Sequence, residues 1–272
     1  MPPSAESCPR LPSTQASNKS PGRGRRLRSL GIGALSTAIL LGVWQLAARG
    51  VGADIILPSP LLVLSEFVRL VFSREFGPAL AATFARGLEA FALSCLAGII
   101  LGFASGIWQN FEAALSPVLT TIRATPILAL ILLALLWFPA GFVPVFAAFL
   151  MAFPVMASAA AEGARAAPRE LLEMSRLFRV SAVRELFGLR LPAAAPHLLA
   201  GARSAIGLCW KVVVTGEVLS QPLRAIGTGM QSSRVLLETP RVFAWAMAAI
   251  LLCGLSEWLF GRLIAMGRKG AL

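Results

Sequence analysis

Six predominantly apolar stretches, at residues 30–47, 83–107, 122–138, 142–161, 198–219 and 242–260, constrain this chain more than any other feature. A helix rising about 1.5 Å per residue needs about 20 residues to cross the hydrocarbon core of a bilayer. All six stretches lie near that length. Hydrophobic residues make up 57% of the chain and charged residues 14%, whereas a soluble domain carries charge on about a quarter of its residues. The fold class expected is an all-α membrane protein with about six transmembrane helices.

The net charge of +12 raises the question of nucleic acid. The basic residues, however, flank the apolar stretches and fill the N-terminal tail instead of lining one soluble face, so membrane topology explains them and no nucleic-acid partner is expected. Cys95, Cys209 and Cys253 lie inside apolar runs, and Cys8 lies in the tail. There is no CxxC, no HExxH and no GxxxxGK[ST], so neither a metal, a cofactor nor a nucleotide site is indicated. A membrane-embedded enzyme would need a catalytic cluster, and the sole histidine, His197, has no recognisable motif partner. A non-transport scaffold is the other rival class.

Residues 1–29, ending "SPGRGRRLRSL", read as a disordered basic tail. The first apolar run is too long for a cleaved signal peptide and reads as a retained anchor. Leu61, Leu64, Val68 and Val71 recur at helical spacing among Glu66, Arg69 and Arg74, which suits an amphipathic helix lying at an interface in contact with membrane lipid. Pro126, Pro144 and Pro154 are expected to start or bend membrane helices. Lys19, Arg23, Arg25, Arg26 and Arg28 place the N-terminus in the cytoplasm. Six spans then put the 162–197 segment and the C-terminus, 266–272, on the same side. Arg224, Arg234 and Arg241 in the outer loop count against this orientation.

The 170–192 stretch is dense in Arg and Glu. Pro168 suits the first turn of a helix, on which Leu171, Met174 and Phe178 form an apolar stripe and Glu173 stands within reach of Arg169 and Arg176. Ser181 suits an N-cap for a second short helix carrying Val183, Leu186 and Phe187, which Leu191-Pro192 is expected to close. Two readings follow from the pattern: a loop packed on its own bundle or on lipid headgroups, and a docking surface for a soluble partner.

"LLEMSRLFRVSAVRELFGLRLPAAAP" resembles the EAA signature of ABC importer permeases, the binding-protein-dependent transport inner-membrane subunits. That signature runs Glu-Ala-Ala, three residues, Gly, nine residues, an aliphatic residue, any residue, Leu-Pro. Here Glu173-Met174-Ser175, Arg179, Leu189, Arg190 and Leu191-Pro192 take those places, with Met174, Ser175 and Arg179 departing from the pattern. If the turn at Arg179 needs a positive φ, Arg costs about 1 kcal/mol there. "ILPSPLLVLSEF", "TTIRATPILALILLALLWF" and "LPAAAPHLLAGARSAIGLCWKVVVTGEVL" are similar to the nitrate, sulfonate and taurine branch. The resemblance covers about residues 30–265 and implies a type I importer-like permease domain with two short cytoplasmic coupling helices between the fourth and fifth spans. It also implies a bacterial inner-membrane location. It implies separate ATPase subunits docked on Glu173, Met174, Ser175, Arg176, Leu177, Phe178 and Arg179, an extracytoplasmic solute-binding protein, and a permease homodimer. The solute implied is small and anionic, such as a sulfonate, nitrate or a taurine-like compound. A thiamine precursor or another small organic solute is the alternative.

Ionisable groups inside spans cost about 2.5–3.5 kcal/mol on insertion scales and are therefore functional candidates. Glu89, Arg203, Lys211, Glu217 and Glu257 are such groups. Arg203, Lys211 and Thr215 can share a helix face, with Trp210 beside Lys211. Arg203, Trp210, Lys211, Thr215 and Glu217 are the candidate translocation path, Glu217 preceding the Gly-rich outer loop "AIGTGMQ". The alternatives for Lys211 are an ion pair with Glu89 that fixes helix packing, and snorkelling to the interface.

Overall fold

Small side chains decide how closely these helices approach. The computed structural model describes residues 23–269, and among them no strand occurs. At the centre stands α6 (Val143–Arg165), with most of its length buried. On one side it meets α3 (Phe76–Ile107) and on the other α9 (Leu191–Ser220). Along α3, Gly98, Gly102 and Gly106 present a ridge with no Cβ. A Cβ at Gly102 would lie 2.7 Å from Ala160 Cβ, and one at Gly106 2.7 Å from Ala164 Cβ. On α9 a Cβ at Gly216 would lie 2.8 Å from Pro144 Cα. Backbones this close gain dispersion energy from many atom pairs, which is how membrane helices associate when the solvent is itself apolar.

Around this trio lie α1 (Arg23–Val51), α2 (Pro60–Val71) and α11 (Thr239–Lys269). Five helical stretches are long and apolar enough to span: Gly31–Val51, Phe76–Ile107, Val143–Arg165, Ala182–Ser220 and Thr239–Met266. α1 begins at Arg23, inside the stretch read as tail, while residues 1–22 and 270–272 lie outside the described residues. Most α1 side chains are exposed, and Trp44 ties the helix down by donating from Nε1 to Pro58 O at 3.1 Å. The amphipathic α2 forms where expected, with Ser59 Oγ accepting from Leu62 N at 3.3 Å as its cap. Its Val63 and Leu70 face the bundle, while Leu61, Leu64, Val68 and Val71 stay uncovered, as a helix lying on a bilayer would place them.

The stretch expected as one span at 122–138 is a bent pair instead. α4 (Gln109–Ala124) and α5 (Ile127–Trp137) meet at 100°, and the bent pair makes a sixth span if it crosses as one. Pro126 is the cause: it drives Thr125 out of the helical region to φ −77°, ψ 126°. Pro144 sits in the first turn of α6 and Pro154 inside it.

Leu191-Pro192 does not close a helix, contrary to expectation. α7 (Arg169–Leu177) is followed by the one-turn α8 (Ala182–Glu185), which runs without interruption through a π-turn at Leu186–Arg190 into α9. Leu191 N bonds back to Leu186 O, five residues earlier. The widened turn shifts the hydrogen-bond register just before Pro192, whose missing N–H falls in the first turn of α9, where it is harmless. The short α10 (Ile226–Val235) returns towards α3 and α9 before α11 begins.

Candidate functional site

α7 displays its apolar side outward. Leu171 and Met174 are exposed, Leu177 is 84% exposed and Phe178 71%. Pro168 is the N-cap residue. At the other end, Arg179 N donates to Arg176 O at 3.1 Å and Val180 N to Ser175 O at 2.9 Å, a Schellman closure with Arg179 at φ +50°. The turn therefore does require the left-handed conformation for which glycine is suited. Glu173, Arg176 and Arg179 form an exposed charged rim, and the pairs expected of Glu173 with Arg169 and Arg176 do not form among the described residues. Ser175 turns inward. Its hydroxyl lies 2.9 Å from Leu172 O and 3.1 Å from Glu185 Oε2, sharing one proton between them. Glu185 Oε1 accepts from Arg190 Nε at 2.8 Å, and Arg190 Nη1 reaches Ala164 O on the last turn of α6 at 3.3 Å. This chain of contacts joins α7 to the bundle axis. Sequence reasoning missed Glu185 and Arg190, because their i, i+5 separation matches only a π-turn.

On α9 the five expected path residues divide between two faces. Arg203 and Lys211 are exposed and Thr215 is half-buried on the same uncovered side, its Oγ1 donating to Lys211 O at 2.8 Å. Trp210 points inward, stacked on Phe84 at 5.5 Å between centroids, and its indole N–H has no partner among the described residues. Lys211 makes no ion pair with Glu89, which is itself exposed on α3. Glu257 sets its carboxylate against Gly207 of α9.

Glu217 is fully buried. Its Oε2 accepts from Thr83 Oγ1 at 2.9 Å and Gly227 N at 3.2 Å, and its Oε1 accepts from Arg86 Nη1 at 2.7 Å. Ile226 N donates to Thr83 Oγ1 at 3.0 Å, and Arg86 Nη1 also donates to Arg224 O at 3.0 Å. The carboxylate and the threonine thus satisfy the first N–H groups of α10, where negative charge also meets the positive end of the helix dipole. A Cβ at Gly227 would collide with Glu217, so glycine is what admits this contact.

A polar cavity of about 250 Å³ opens between α3, α4 and α6. Arg123 reaches into its wall and donates from Nη2 to Pro154 O at 3.0 Å and to Ser158 Oγ. Glu112 and Arg165 pair at 2.5 Å along the same wall. Arg123 lies within the stretch read as the third span but was not singled out, because in the sequence it looks like the end of an amphipathic turn.

Residues 94–265 match the profile of the family described as the binding-protein-dependent transport system inner membrane component. The chain belongs to that family. This permease is 30% identical over 247 residues to SsuC of Bacillus subtilis (strain 168), which carries an aliphatic sulfonates transport permease name; the match covers 88% of this chain and 87% of SsuC. It is 30% identical over 203 residues to the nitrate import permease protein NrtB of Synechocystis, covering 68% and 70% of the two chains. With the taurine transport system permease protein TauC of Escherichia coli it shares 28% identity over 236 residues, covering 84% and 85%. Its fold is similar to a chain of the inward-facing MetNI methionine ABC transporter, with a TM-score of 0.56 at 16% identity, covering 71% of this chain and 94% of that one. The resemblance drawn from the EAA-like stretch is borne out, as are the all-α class and the five or six spans. The chain is a multi-pass ABC importer permease of the inner membrane.

Proposed function

We propose that this permease carries a small anionic solute inward, driven by ATPase subunits that are separate chains and dock on α7. The observation that carries this reading is the stripe of Leu171, Met174, Leu177 and Phe178, uncovered by the subunit's own fold and rimmed by charge. A helix laid in a groove needs such a stripe. The chain itself has no phosphate-cradling GxxxxGK[ST] loop. Two copies of the permease would present two such helices, one to each ATPase, and an extracytoplasmic binding protein would deliver the solute from the other side. The Arg-rich 162–197 segment supports a cytoplasmic position for α7 and, with six spans, for both termini. Relatives named for sulfonate, nitrate and taurine transport support an anion as cargo. Arg203, Lys211 and Thr215, on the open face of α9, line the path in this reading; Trp210 and Glu217 shape it from behind.

Co-purification with a tagged ATPase tests the docking. Wild-type permease should recover the complex, and Phe178→Asp should lose it by at least about tenfold, since a charge placed in an apolar groove costs more than 1.4 kcal/mol. Undiminished recovery of the ATPase by Phe178→Asp would remove α7 as the docking element.

A further inference from the structure

The α4–α5 break sets a cation deep in the spanning region. Arg123 lies three residues before Pro126, level with Ser158 on α6, and Ser158 is about 10 Å along the helix from Arg165 at its end. Pro154, whose carbonyl Arg123 also holds, is the twelfth of the 23 residues of α6. Arg123 is nonetheless exposed. It spends Nη2 on Pro154 O and Ser158 Oγ, which leaves three of the five guanidinium N–H donors, on Nε and Nη1, without a protein partner among the described residues. A charge at that depth without a carboxylate partner is costly unless it faces water or a ligand. The cavity beside it supplies a further donor: Ser158 Oγ accepts from Arg123, so its own proton is free. Glu112 and Arg165 neutralise each other, and the remaining carboxylate, Glu162, is one turn beyond Ser158 towards the end of α6.

We propose that Arg123, with Ser158, forms an oxyanion-contact point in the translocation path, built on the break between α4 and α5 where it faces α6. This rests on the importer reading but needs neither the α9 face nor the α7 docking. Fixing the guanidinium through one nitrogen while leaving the other donors open holds the fork in place for a sulfonate, carboxylate or nitrate oxygen. Pro154 O anchors the charge to the middle of α6, so the contact point bridges α6 and the end of α4 next to the break. A lipid phosphate offers the same chemistry. Headgroups lie at the bilayer boundary, however, and Arg123 lies at the level of mid-helix residues in a span.

The test reads the field of Arg123 directly. In the chain with Cys8, Cys95, Cys209 and Cys253 replaced, Thr120→Cys, one turn before Arg123 on the cavity wall, is labelled in inverted membrane vesicles with two methanethiosulfonates, one carrying a sulfonate and one a trimethylammonium. The anionic reagent should react at least about tenfold faster than the cationic one, the ratio expected when a unit charge lies within about 7 Å in a partly wet site. Arg123→Gln should bring the ratio close to one and Arg123→Lys should retain most of it. Leu119→Cys, on the same wall, serves as the second reporter should Thr120→Cys fail to insert. No reaction with either reagent at both positions, or a ratio that survives Arg123→Gln, overturns the proposal. Protection from labelling by anionic lipid, absent in vesicles of zwitterionic lipid, overturns it in favour of a headgroup. Loss of ATPase co-purification by the wild type would instead strike the importer reading, and leaves the labelling ratio as it is.

Discussion

Replacing Glu217 by Ala removes the acceptor on which three donors converge. Thr83 Oγ1, Gly227 N and Arg86 Nη1 lose their partner together, in a pocket where Glu217 is fully buried and the Arg86 side chain only 16% exposed. Removing one member of a buried ion pair costs about 3–5 kcal/mol, because the remaining charge keeps its desolvation penalty and loses its compensation. The Thr83 hydroxyl retains Ile226 N as a donor to it, and Arg86 retains Arg224 O, so the lower part of that range is expected. Glu217→Gln keeps one carbonyl acceptor and should cost about 1–3 kcal/mol. The double change Arg86→Met, Glu217→Met removes both charges and should cost clearly less than the sum of the single changes. Two assays read this: the thermal denaturation midpoint of the detergent-solubilised permease, and amide hydrogen exchange across 226–235. The midpoint should fall in Glu217→Ala, and α10 should exchange faster from its N-terminal turn, since Gly227 N has lost its acceptor and Thr83, which holds Ile226 N, has lost the carboxylate that fixes it. An unchanged midpoint with unchanged protection of α10 would refute the view that Glu217 staples this helix to α3 and α9.

Arg179→Gly should stabilise the α7–α8 turn by about 1 kcal/mol, because φ +50° strains any residue with a Cβ, and differential scanning of the purified chain should show the gain. Lys211→Ala should leave the amount of folded permease unchanged, since Lys211 has no ion pair among the described residues, and should lower solute uptake per folded molecule several-fold; Lys211→Glu should lower it further. Normal uptake per folded Lys211→Ala molecule would remove Lys211 from the path.

Apolar runs of spanning length are a local property of the chain, which is why the all-α membrane class and the positions of most spans could be read directly from it. The amphipathic α2 and the short α7 were legible for the same reason: each is one stretch whose pattern repeats every three or four residues. The EAA-like spacing identified the family, and the need for positive φ at Arg179 could be stated as a condition before the geometry met it. What the pattern could not contain was which side of each helix is covered. Trp210 and Lys211 are neighbours in sequence but fall on different faces of α9, one buried against Phe84 and one on the open face. Glu217 finds Thr83 and Arg86 more than 130 residues away. Pro192 was expected to end a helix, but the π-turn before it absorbs the missing N–H. Pro126 was expected to start or bend a membrane helix, but the 100° turn there and the placing of Arg123 beside Ser158 needed the structure. Helix existence depends on residues close along the chain. The partner of a buried charge depends on which helix faces it, and that is set by the glycine ridges that bring α3, α6 and α9 into contact.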